Sequence, residues 1–200
     1  GAGGSREEVE DDLRVRIQGK DDNDQLGTAL AVGDSTGDGI VELYIGAPNA
    51  DGPSNARPNG GEVVALPGLA GRSGTIDLNA AVTAVYLIYG RDTGDYFGWS
   101  LAAGSVVAAG SSPELIAGAP VANGPGNGGP GTSGEAYALN LTPFAGFSVD
   151  LNGALFPFYA VITAYGVDAS DLLGQSVGRV DLNGDGFDDR GFLPLDHAAH

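Results

Sequence analysis

The sequence predicts an all-β protein assembled from repeated four-stranded units, and three observations carry that prediction. Glycine and proline account for 35 and 11 of 200 residues while 42% are hydrophobic, a composition of short strands and tight turns rather than of disorder. Landmarks recur in register: Gly19, Gly90 and Gly166 lie 71 and then 76 residues apart, and each is followed by an aspartate (Asp24, Asp95, Asp171) and then a glycine (Gly27, Gly98, Gly174) at fixed offsets. Between these landmarks fall apolar runs of strand length, four to a unit and separated by turns.

The elements follow in order. Residues 1–12 carry no apolar periodicity and read as a flexible arm. Residues 13–19 alternate apolar and charged from Leu13 to Ile17, the pattern of a half-buried strand. Residues 20–90 form a first unit with strands expected near 28–32, 42–45, 62–66 and 82–89, and residues 91–166 a second with strands near 100–103, 114–117, 135–139 and 160–164. Further matches keep step, Gly46-Ala47-Pro48 with Gly118-Ala119-Pro120 and Glu62 with Glu135 among them. Residues 167–200 begin a third unit and depart from it in an atypical tail. Four short antiparallel strands per unit describe a β-propeller-type blade, so the chain reads as two complete blades and a split third.

Two loops carry the chemistry. In residues 181–189, side-chain oxygens fall at positions 1, 3, 5 and 9 (Asp181, Asn183, Asp185, Asp189), and Phe187 at position 7 can offer its carbonyl. Residues 34–42 repeat this more weakly, with Asp34, Thr36, Asp38 and Glu42 as side-chain donors and Ile40 as the carbonyl donor. Glycines at positions 4 and 6 of each loop permit a sharp turn. Alternating hard oxygens on a tight loop suit Ca2+, which takes six to eight oxygen ligands in a forgiving geometry, better than zinc or copper. An EF-hand would place a bidentate glutamate at position 12, where this chain has Ile45 or Phe192, and would flank the loop with helices instead of strands. The corresponding stretch of the second unit, residues 105–113, has no acidic residue, and its site is expected to be lost.

The surroundings of these loops resemble the FG-GAP repeat of integrin alpha-subunit β-propellers and of many bacterial surface proteins. Leu26-Gly27 leads into the first loop and Gly46-Ala47-Pro48 follows it, Phe97-Gly98 and Gly118-Ala119-Pro120 bracket the second unit, and Leu173-Gly174 precedes residues 181–189. The resemblance implies a calcium-binding extracellular or cell-surface structural or adhesive protein, with loops on one propeller face open to a protein or glycan ligand.

Charge and composition exclude other classes. A net charge of −17, from 26 acids against 9 bases, opposes nucleic acid and anionic membranes and favours cations. A saline-adapted surface is the other reading of that acidity, which the single lysine, Lys20, fits. No apolar run approaches the ~20 residues of a membrane span. There is no cysteine, no histidine within the repeats and no Gly-x-Ser-x-Gly, and the paired acids are assigned to metal, so no enzyme is expected. Asn140 begins a glycosylation triplet, and His197 and His200 belong to the tail.

Closed propellers have four to eight blades, more than this chain supplies. The open edges predict head-to-tail assembly into a ring or filament through a shared blade, with residues 13–19 as the completing strand. The alternative is a fragment or accessory domain of a larger propeller surface protein or surface enzyme, in keeping with a chain that starts at Gly1 rather than at methionine.

Overall fold

A computed structural model describes residues 15–68, 72–80, 85–104, 113–124, 127–129, 131–142, 148–153, 160–180 and 189–193. The expected arm, the histidine tail, residues 82–84 of an expected strand and most of the loop 181–189 lie outside the described residues.

The described chain is all-β. Thirteen strands run β1 Val15–Gln18, β2 Leu30–Gly33, β3 Glu42–Ala47, β4 Glu62–Pro67, β5 Gly74–Asp77, β6 Tyr86–Tyr89, β7 Ser100–Gly104, β8 Glu114–Ala119, β9 Glu135–Leu139, β10 Val149–Asp150, β11 Ala160–Tyr165, β12 Ser176–Val180 and β13 Asp189–Leu193. They form four sheets, none closed on itself: β10-β6-β4-β3-β2, β11-β9-β8-β7, and the pairs β1-β5 and β12-β13. Among the described residues no helix is long and apolar enough to cross a membrane.

Each unit is an antiparallel meander. In the first, β2 pairs with β3, β3 with β4 and β4 with β6, and in the second β7, β8, β9 and β11 pair in the same succession. Equivalent positions meet equivalent partners, so Ala47 faces Glu62 as Ala119 faces Glu135. The central strands of both long sheets are buried on two faces, which explains why β3, β4, β8 and β9 read as continuous apolar runs.

One connection is not foreseen from the sequence. Strand β10 of the second unit adds in parallel to β6, the outer strand of the first, with Asp150 opposite Tyr89. Strand β5 pairs with β1 in the same way, Asp77 opposite Gln18. The amide that follows repeats the match, Leu78 N–H to the Gln18 carbonyl at 3.0 Å and Leu151 N–H to the Tyr89 carbonyl at 3.1 Å. Strand β1 therefore occupies, relative to the first unit, the place that β6 occupies relative to the second.

The sheets stack in chain order. Tyr44, Val63, Ala65 and Ile88 of the first sheet pack with Leu115, Ala117, Tyr137 and Leu139 of the second to form the main core. Ile45, Val64 and Leu66 look the other way, toward Ile17 and Ile76 of the β1-β5 pair, and Ile116 and Ala138 pack with Val177 of β12. Strict alternation along β3 and β4 makes this possible, since successive side chains serve opposite faces. Phe97, Tyr44 and Tyr137 are core residues, as their strand-like context predicts. Trp99 is not: it is 37% exposed and meets the edge of Tyr96 at the surface.

Candidate metal centre

The site is the turn between β2 and β3. Gly33 pairs with Glu42 across the hairpin, so residues 34–41 must reverse the chain within a short span. Gly37 and Gly39 adopt positive φ of 72° and 84°, a conformation that costs a residue bearing Cβ. The glycines at loop positions 4 and 6 thus do what their spacing predicts.

Asp34 organises the turn from its first position. Its Oδ1 accepts the amides of Gly37 at 2.8 Å and Asp38 at 3.1 Å, and its Oδ2 accepts that of Gly39 at 2.9 Å. Asp38 Oδ1 accepts the Ile40 amide at 2.8 Å. The Ile40 side chain is exposed, which leaves only its backbone to serve the loop.

Glu42 closes the site from beneath and is fully buried. Its Oε2 accepts the Ser35 amide at 3.0 Å and the Tyr44 hydroxyl at 3.1 Å, and its Oε1 accepts the Thr36 hydroxyl at 3.2 Å. Burial pushes the Glu42 carboxyl above the usual range, and the donors from Tyr44, Thr36 and Ser35 pull it back. Burial also raises the Tyr44 phenol, which stays a neutral donor.

Asp34, Asp38 and Glu42 each offer a carboxylate oxygen, and these oxygens all lie within 4.8 Å of one another. That spacing leaves room for one cation among the three carboxylates. Two oxygens opposed across a cation at a bond length of ~2.4 Å are about 4.8 Å apart, and an all-oxygen set of carboxylates and a hydroxyl is the hard donor set that Ca2+ selects. Three carboxylates so close repel one another, and a bound cation relieves that repulsion. The cluster can hold a metal ion.

Of the ligands read from the sequence, the structure brings Asp34, Asp38 and Glu42 together. Thr36 reaches the cluster by its hydroxyl on Glu42, and Ile40 by its amide on Asp38. Asp181, Asn183, Asp185 and Phe187 lie outside the described residues. Asp189 is described by its backbone alone, opposite Val180 at the start of β13, the place that Glu42 holds opposite Gly33. Tyr44 is the residue that sequence reasoning left in the core without a role here; an aromatic two residues after an acid on a strand shares its face, and that spacing was the available signal.

The second unit is less empty of acid than its loop suggests. Glu114, at the head of β8, pairs with Gly104 as Glu42 pairs with Gly33, and it is 2% exposed. The expectation of a lost site rests on residues 105–113, which hold no acid, and Glu114 lies just beyond them. No family model matches the chain, and no curated protein matches it.

Proposed function

We propose that the chain is a calcium-binding structural or adhesive module of an extracellular or cell-surface protein, built on FG-GAP-like propeller blades and without catalytic activity. The observation that carries this reading is the cluster of Asp34, Asp38 and Glu42 on a hairpin turn whose strand pairing recurs at Glu114 and Asp189. Calcium bound there would tie the turn to the foot of β3 and stiffen the edge of the blade. Extracellular modules bind Ca2+ with dissociation constants of about 0.1 to 1 mM, so a site at ten times its constant adds on the order of 1.4 kcal/mol to folding.

The experiment is a thermal melt of the full chain in millimolar calcium, in magnesium and in chelator, on the wild type and on Asp38→Asn. The expected result is a calcium-specific rise in melting temperature that Asp38→Asn reduces. Identical melts of the wild type in calcium and chelator would overturn the reading.

The β1-β5 pair favours a second, larger frame. It repeats the β6-β10 joint at the head of the array, as expected where blades continue by head-to-tail assembly with another copy or within a longer propeller protein. Light scattering in calcium separates the two, since a ring or polymer supports assembly and a monomer supports the longer parent.

A further inference from the structure

The two units differ at one place where their chemistry is otherwise matched. In the second unit Tyr137 is 1% exposed, its ring meets Phe97 edge-on at 5.7 Å between centroids, and its hydroxyl donates to the Glu135 carboxylate. Arg91 stands 3.9 Å from the other oxygen of Glu135. The repeat register places Glu62 where Glu135 lies, Lys20 where Arg91 lies and Asp24 where Asp95 lies. It also places Val64 at the position of Tyr137 and Leu26 at that of Phe97. The charged frame is kept while both aromatic rings are lost.

The corresponding region of the first unit holds a cavity. A cavity of about 160 Å³ lies between Leu26, Val64, Leu78 and Leu87, with Glu62, Asp24 and Lys20 on its wall. Glu62 is 6% exposed, and no hydrogen bond to its carboxylate is found among the described residues. Burial pushes that carboxyl up to about 7, with Lys20 and Arg57 opposing and Asp24 and Asp21 adding to the rise. The carboxylate thus faces the cavity with no donor on it among the described residues, beside the apolar side chains of Leu26, Val64, Leu78 and Leu87.

We infer that this cavity binds a small phenol, whose ring takes the place Tyr137 fills in the second unit and whose hydroxyl donates to Glu62. The size agrees, because a dry cavity of about 150 Å³ accommodates a benzene ring. The chemistry agrees as well, because in the second unit the equivalent glutamate, Glu135, accepts from a phenol. The inference stands apart from the metal reading, since Glu62 and Val64 are on β4 and none of the cavity residues named here is in the 34–42 loop.

The test is titration of the full chain with p-cresol, followed by the methyl signals of Val64 and Leu26 in NMR, with toluene as the probe that lacks the hydroxyl. Saturable binding of p-cresol at least tenfold tighter than that of toluene is expected, with the tightening lost in Glu62→Ala. Val64→Tyr, which rebuilds the second unit's arrangement, should abolish binding of both probes. Leu26→Phe serves as the blocking variant if Val64→Tyr does not fold. Equal affinity for p-cresol and toluene, undiminished binding to a folded blocking variant, or no saturable binding to the wild type would each overturn the inference.

Discussion

The α-carbon of Gly46 in the first unit lies against the carbonyl oxygen of Gly98 in the second, with no room for a methyl group between them. Gly118 meets the carbonyl of Gly174 in the same manner. The Gly-Ala-Pro landmark thus recurs because each unit's third landmark turn is pressed onto the strand β3 or β8 of the unit before it. Gly46→Ala and Gly118→Ala are expected to destabilise by about 1–3 kcal/mol each, the usual cost of overpacking. Gly178→Ala, at a position with open space and no positive φ, should change stability by no more than about 0.5 kcal/mol. Chemical denaturation of the three variants checks the contrast, and equal losses at all three would contradict it.

Stability should fall as pH rises from about 4 to about 7. Burial raises Glu62 from 4.5 and Asp95 from 3.8 to about 7 each. Between the unfolded and folded values the folded chain therefore holds protons that the unfolded chain has released, so the contribution is complete below the unfolded values and lost through the folded ones. Each is worth on the order of 3 kcal/mol. The groups that face Glu62 are Lys20, Asp24, Asp21 and Arg57, and those that face Asp95 are Glu135, Asp92 and Arg91. Melting curves in chelator should show a higher midpoint at pH 5 than at pH 8, with a flatter profile in Glu62→Gln and Asp95→Asn.

Arg57 fastens the loop after β3 to the strand that arrives from the second unit. Its guanidinium donates to Asp150 at 2.6 Å and to the carbonyls of Gly90 and Arg91. Asp150 is partly exposed, which screens the pair, so the coupling between Arg57→Ala and Asp150→Ala in a double-mutant cycle should be about 1 kcal/mol. Arg57→Ala alone should cost more than Asp150→Ala, because it also strands two carbonyls. The reverse order would show that the two carbonyls lose little when Arg57 is removed.

The two loops should rank in calcium dependence. Asp185 is a carboxylate at position 5 of a loop with aspartate or asparagine at 1, 3, 5 and 9, whereas Thr36 is a neutral hydroxyl already engaged with Glu42. Asp185→Ala is expected to reduce the calcium-dependent melting shift by more than Thr36→Ala. Equal reductions would show that the loops contribute alike.

The meanders were legible because their signal is local. Glu62 to Leu66 and Glu135 to Leu139 announce themselves as apolar strands between glycines, and both fall where expected. The turn of residues 34–42 was legible for the same reason, since its donors and glycines are neighbours in sequence. Strands β5 and β10 were not: they are short, and their partners are fixed by parallel pairing to distant segments, which leaves no mark on local composition. Glu114 escaped because the loop before it is one residue longer than the other two, so a nine-residue template ended at Pro113. The cavity beside Glu62 had a signal in Val64 and Leu26, aligned with Tyr137 and Phe97, but substitution alone does not tell a void from a repacked core.

The parallel joint of β10 to β6 also sets the order in which the molecule can be finished. Tyr89, already paired with Glu62 on one side, acquires its outer neighbour only after the chain has run on to Asp150, through most of the next meander. During synthesis the first sheet therefore waits with one margin bare while the second is being made, and a cut between residues 90 and 91 would divide the sequence at its repeat but tear the fold through a seam. What evolution duplicated and what folds as one piece are offset by a single strand, which makes the array an interlocked series rather than a string of separable beads.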